Sequence, residues 1–366
     1  MANFSVATNF DPELLTEIDR LNRQYANTIV EIYGSLPTSI TGSGRSPRSL
    51  PQITKEELKE HIKLAHSYQL AFNYLLNAPN PKIAERDLIV KFDAEIDYLR
   101  EIGVDIVTIA DKTLIKQVKS NHPDLEVHAS IILGVDTTQE AEELAEIGVS
   151  VITTNQFTIN RNAKRLEELV KSVKDYNTKI RLYANISCLN HCPRATAHYT
   201  ALGKSSREGR NENLNHDPFL IWCMGQYFDD STNLLQSPFI RPEGIPLYAS
   251  FGIVDFKLSD RREATSTLIE LYKAYLGGEF HGNLYNLLFR NGRKWSNAIG
   301  KKIEGPSINI NNDFLTTLDF DKKVLTLEGK ELREFYTKAT GAAVKNVHSS
   351  ESLGFRMRLE SLTLGN

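Results

Sequence analysis

Two rhythms of apolar and polar positions alternate along most of the chain. Short β-branched or aromatic runs read as strands: Phe4–Thr8, Ile29–Tyr33, Ala71–Leu76, Asp105–Ile109, Glu126–Ile131, Ser150–Thr153, Arg181–Ile186 and Ile253–Leu258. Longer stretches between them carry apolar residues three and four apart, the spacing of one helix face. "DAEIDYLREIG" and "TTQEAEELAEIG" both end in glycine, a common helix stop. "NRNAKRLEELVKSVKDY" has the same spacing after an Asn start. Strands that alternate with helices predict a parallel sheet. Eight such units over residues 1–280 predict an α/β fold, an eight-stranded parallel (β/α) barrel of TIM type that carries the catalytic site. An open doubly wound sheet would carry a Gly-rich phosphate turn after an early strand. "GSGRSP" at 42–47 lacks that spacing and reads as a mobile, solvated loop, the alternative being that Arg45 and Arg48 close over an anionic ligand. Beyond residue 280 the strand–helix rhythm stops. Residues 281–366 read as a C-terminal extension, wrapped on the barrel or forming a small β-containing unit, with a polar tail.

The bulk numbers narrow the class. The 366 residues are 41% apolar and 24% charged with a formal net charge of −3, which is ordinary globular composition without a global pull toward nucleic acid. No apolar run is long enough for a membrane span, and the N-terminus does not read as a signal peptide. Three cysteines do not make a disulfide framework, so the expectation is a cytoplasmic, reducing location. Aromatic and basic residues are not interleaved strongly enough to predict RNA binding.

Two of the three cysteines, Cys188 and Cys192, stand four apart in "NISCLNHCPRATAHY", just past the seventh strand candidate. On a barrel that segment lies on the face where active sites are built. Cys223 follows in a predicted helix, "HDPFLIWCMGQYF". Three thiolates suit an iron–sulfur cluster or zinc. Each cysteine alone reads equally as a small buried hydrophobe. The spacing excludes a radical-SAM motif, since position 195 is Ala, and no CxxC pair of a zinc ribbon exists.

Polar residues near strand ends are the other candidates for binding. Asn155 and Asn185 read as substrate contacts or as turn formers. His128 reads as a contact or as a core histidine. Lys257, inside the apolar run "IVDFKL", needs an anion or a water-filled space. Arg241 in "SPFIRPEG" reads as an anion clamp or a structural ion pair, and Arg261 as a second basic contact.

"NISCLNHCPRATAHY", then Cys223, then "LLQSPFIRPEGIPLYASFGIVDFKLSDRR" resembles the collagenase-like peptidase family U32. The resemblance spans roughly residues 70–290 and departs at Ser259 and Asp260. It implies a barrel-type catalytic domain. It also implies that Cys188, Cys192 and Cys223 hold a 4Fe–4S cluster or, alternatively, zinc. A four-cysteine site is excluded within one chain, so either one iron stays open or His191 or His198 completes the set. Lys257, Arg241 and His198 would then be the catalytic groups, with Asn155, Asn185, His128 and Arg261 on the substrate. The implied function is an iron–sulfur enzyme that modifies a small molecule, peptide or RNA, through oxygen-independent hydroxylation. A peptidase and a non-catalytic barrel with a structural metal are the alternatives, and a partner chain or second copy could complete the site.

Overall fold

The computed structural model describes residues 1–47, 50–79, 86–208, 217–289 and 305–363; Arg48 lies outside them. Eight strands form a closed barrel in chain order: β1 (Asn3–Ala7), β2 (Thr28–Gly34), β3 (Ala71–Leu76), β4 (Ile106–Ile109), β5 (Glu126–Ala129), β6 (Val151–Thr153), β7 (Lys179–Tyr183) and β8 (Asp255–Leu258). Every pairing is parallel, and β8 closes on β1. The predicted barrel is therefore the observed one. The seventh strand stops at Tyr183, so Asn185 lies in the turn beyond it.

Helices fill the connections: α1 (Pro12–Gln24), α2 (Lys55–Ser67), α3 (Arg86–Glu101), α4 (Lys112–Asn121), α5 (Thr138–Glu146), α6 (Ala163–Ser172), α7 (Ala195–Glu208) and α8 (Pro218–Asp229). Their ends follow local chemistry. Asp11 caps α1 ahead of Pro12, and Thr54 and Glu57 form a reciprocal capping box on α2. Gly103 and Gly148, just past α3 and α5, take φ values of 92° and 84°, which few other residues adopt without strain.

The barrel interior is not apolar throughout. Arg181 on β7 reaches Glu31 on β2 through Nη1 and Nη2 at 2.7 and 3.0 Å and pairs through Nε with Asp255 on β8. Strands β2 and β7 are not neighbours, so the Glu31 contact must cross the interior. Ser5, Asn73, Thr108 and His128 complete the layer: Ser5 and Asn73 donate to Glu31 at 2.5 and 2.9 Å, and Thr108 donates to Asn73 at 2.7 Å. The continuous apolar core lies outside the strands, between them and the helices.

The region past residue 280 is mostly helical among the described residues: Asn312–Thr317, Phe320–Thr326, Gly329–Ala343 and Ser350–Thr363. Asn309–Ile310 and Val344–Lys345 pair as a short antiparallel ladder, and Asn283 and Asn311 form a single antiparallel bridge. The β-containing expectation is corrected here. Leu315, Phe320 and Val324 join the apolar cluster of the barrel helices. Arg241 clamps this region in place. It is 1% exposed, and its guanidinium meets Asp321 at 2.5 Å, the Asn312 carbonyl and side chain at 3.0 Å each, and Thr316 at 3.1 Å.

Removing one member of the interior ion triad leaves uncompensated charge. Arg181→Met should cost about 3–5 kcal/mol in urea unfolding, because two carboxylates remain buried and face each other. A loss under about 1 kcal/mol would show that the triad is not what neutralises them.

Candidate active site at the barrel mouth

The residues two places beyond the ion triad on the same strands form the next layer: Tyr33 on β2, Tyr183 on β7 and Lys257 on β8. The strand period of two aims them inward as well. Tyr183 and Lys257 are register partners, as Arg181 and Asp255 are below them. The Lys257 Nζ sits 3.9 Å from the centre of the Tyr33 ring, whose hydroxyl donates to the Leu258 carbonyl at 2.8 Å. Arg261 lies past the end of β8 and donates to the Ser35 hydroxyl at 2.7 Å.

Lys257 is 9% exposed and Arg261 6% exposed. Among the described residues, neither makes an ion pair with a carboxylate. The nearby Asp260 carboxylate is bound instead to Arg262, at 2.9–3.3 Å. Burial, with Arg181 next and then Arg261 and Arg45, pulls Lys257 from its ordinary 10.5 down to about 7, against the opposing pull of Glu31. Burial and Arg45 likewise lower Arg261 to about 10. Burial also raises the phenols of Tyr33 and Tyr183, so both remain protonated donors near neutral pH. One layer down, burial alone would raise Glu31. Arg181 and His128 instead hold it well below the usual carboxylate range.

The loop at 42–47 is packed, not solvated as expected: residues 41–44 are buried. Asn77, just past β3, accepts from the Gly44 amide at 2.9 Å, and Ser206 of α7 accepts from the Ser43 amide at 2.9 Å. Half-buried Arg45 is thereby brought to Tyr183, Asp260, Tyr199 and Tyr33. Burial pulls its pKa down, but these neighbours hold it above its ordinary value. A cleft of about 690 Å³ opens beside this face, with Asn9, Asp11, Leu50, Arg261 and Thr265 in its walls.

The remaining candidates divide. Cys223 hydrogen-bonds Tyr227, and Cys188 stands near enough to act electrostatically on Tyr227, Tyr183 and Tyr199. Cys192 is half-buried and packs against the apolar core. His191 is exposed, in a turn with φ 48°. No disulfide links the cysteines. Among the described residues, no three His, Cys, Asp or Glu side chains stand close enough to hold one metal ion. The donors as placed therefore do not fit a three-thiolate cluster or a tetrahedral zinc. His198 on α7 pairs with Asp217 at 3.1 Å and stacks on Phe219, tying α7 to the start of α8.

His128 is in the buried layer below the mouth, between Asn73 at 3.1 Å and Glu126 at 2.9 Å. Asn185 binds the Ser259 carbonyl and amide at 2.7 and 2.8 Å, stapling the ends of β7 and β8. Asn155 shapes its own turn through the Phe157 amide and meets Asp136 at 3.3 Å. Arg241 is consumed by the C-terminal clamp and is corrected from anion binder to structural ion pair. Tyr33, Tyr183, Tyr199 and Arg45 join Lys257 and Arg261 at the mouth instead. The signal for two of the tyrosines was period two: Glu31/Tyr33 and Arg181/Tyr183 repeat the Asp255/Lys257 spacing.

The lowered Lys257 pKa links stability to pH. Between about 7 and 10.5 the unfolded chain holds a proton that the folded one lacks, so this group adds stability as pH rises through that window. Below about 7 both states are protonated, and the full cost of the buried charge applies. Lys257→Met should therefore stabilise the fold most near neutral pH, and its advantage over the native chain should shrink toward pH 10.5 in chemical unfolding. A pH-independent difference would show that Lys257 titrates as a solvated lysine.

The profile of Peptidase family U32 matches residues 17–160. That stretch runs from α1 through β6 and stops before the cysteine segment and Lys257. No curated protein matches the chain. The solved U32 peptidase Mk0906 superposes with a TM-score of 0.52 at 17% identity, covering 71% of this chain and 93% of that one. The citrate synthase SbnG gives 0.36 at 9% identity over 75% and 91% of the two chains. A phosphoribosylanthranilate isomerase from Thermotoga maritima gives 0.38 at 8% identity over 76% and 100%. Residues 17–160 are thus similar to peptidase family U32, and the barrel shares its fold with the solved U32 peptidase Mk0906.

Proposed function

We propose that this chain is a barrel enzyme that binds a small anionic substrate at the C-terminal mouth and works on it with Lys257. The observation that carries this reading is the pair of buried cations, Lys257 and Arg261, with no ion-pairing carboxylate among the described residues. A buried charge without a counter-ion is costly, and an anionic ligand would offset that cost. A guanidinium at the rim suits a carboxylate or phosphate. The Tyr183 hydroxyl nearby supplies a donor, and the position is the usual one for barrel active sites. The terminal carboxylate of a peptide satisfies the same chemistry, so the family's peptidase activity is compatible with this substrate class.

The iron–sulfur hydroxylase and structural-metal readings draw support from one feature, the convergence of Cys188 and Cys223 on Tyr227. They need a third donor there, which neither Cys192 nor His191 supplies as placed. No catalytic step is assigned to a cluster on that basis.

Arg261→Gln should weaken binding of phosphate, citrate or pyruvate about tenfold or more, the loss of one charge-assisted contact. Isothermal titration of the native chain and the variant measures it. Equal affinities would remove Arg261 from the site, and no binding of any anion would overturn the reading. Anaerobic purification with iron, sulfide and zinc analysis tests the metal readings. The expectation is no stoichiometric metal. Bound metal that is lost in Cys188→Ser would restore a cysteine-held centre.

A further inference from the structure

We propose that the Lys257 amine is a nucleophile that forms an imine with an aldehyde or ketone carrying a carboxylate or phosphate. The inference rests on the anion-binding reading above and deepens it to a substrate class and a covalent step.

Three observations converge on Lys257. Its Nζ lies in the barrel interior near the end of β8, against the face of Tyr33, and makes no hydrogen bond or ion pair with any described residue. A lysine with a structural role would be engaged as Arg241 is, with every guanidinium nitrogen of that residue taken by Asp321, Asn312 or Thr316. The cations nearest Lys257 are arranged vertically. Arg181 lies one layer below and is held by Glu31 and Asp255, while Arg261 follows the strand end above. A substrate anchored by its anion at Arg261 would therefore point its other end down the barrel toward the amine. Finally, the surroundings favour the uncharged amine, which alone has the lone pair needed for attack.

The step balances without an oxidant or reductant. The nitrogen lone pair adds to the carbonyl carbon, a C–N bond forms, and the carbonyl π pair moves to oxygen. A proton passes from nitrogen to that oxygen, giving a carbinolamine. Loss of the hydroxyl with a second nitrogen proton releases one water and leaves C=N. Protonation of the imine creates a cation beside an anionic substrate, and that cation can draw electrons from a neighbouring carbon. The buried phenol of Tyr183 borders the site as a donor, while the Tyr33 proton is held by the Leu258 carbonyl.

The test uses the full chain with pyruvate and, separately, dihydroxyacetone phosphate, each followed by borohydride. Intact mass and peptide mapping read the product, and titration without borohydride reads binding. The expected result is a single reduced adduct on Lys257 with at least one probe. It should be absent in Lys257→Met and about tenfold slower to form in Arg261→Gln. Circular dichroism confirms that both variants fold. A probe that binds with Arg261 dependence but leaves no adduct, or leaves adducts spread over surface lysines, would overturn the imine and leave the anion site standing. If neither probe binds, the anion-site reading fails, and the imine with it.

Discussion

Arg181 is held across the barrel by two carboxylates, and the interior is organised around that triad. One guanidinium between Glu31 and Asp255 leaves the three groups with one net negative charge. Three buried ions are costly to desolvate, and the contacts must be well aligned to offset the cost. The geometry meets that demand. Glu31 accepts from Arg181 through both oxygens, and Ser5 and Asn73 take up further acceptor capacity. Hydrogen bonds from five strands thus converge on one layer, fixing the inward register of β1, β2, β3, β7 and β8 together.

The layer above inherits its electrostatics from this arrangement. Lys257 follows Asp255 by two residues on β8, yet that carboxylate is already spent on Arg181. The lysine therefore faces a committed anion and a neighbouring cation. Tyrosines surround it at mid-height, and Arg261 and Arg45 stand toward the rim. The loop that carries Arg45 is tied to both Asn77 and α7, so the rim's positive charge is held by backbone contacts as well as side chains.

Much of the fold was legible because barrel strands are short apolar runs separated by amphipathic helices, and Ala71–Leu76 was read to the residue. The helical nature of the C-terminal region was not read, although Gly329–Ala343 buries Tyr336, Ala339, Thr340 and Ala343 at the spacing of one helix face. Lys257 and Arg261 stood out as charges that an apolar context could not leave unexplained. Arg241 stood out for the same reason, and composition could not reveal that Asp321, eighty residues away, would neutralise it. Arg45 can be read as an anion contact but looks solvated, because its Gly- and Ser-rich neighbours show no partners until Asn77 and Ser206 supply them. The cysteines illustrate the limit of spacing. Cys188 and Cys192 stand four positions apart in the sequence, and the residue between them with a left-handed backbone is His191, in an exposed turn.

A barrel filled with branched aliphatic residues would avoid the desolvation of three ions, so the triad calls for a reason beyond stability. Its effect on Lys257 offers one. Were position 181 apolar, Glu31 and Asp255 would each carry an unshared negative charge within the field of the amine, and Lys257 would become an ammonium paired below. Arg181 prevents this in two ways. It occupies both carboxylates, and its own charge repels a second cation one layer up. The same buried guanidinium that joins β2, β7 and β8 therefore also disfavours a charged, paired amine at Lys257.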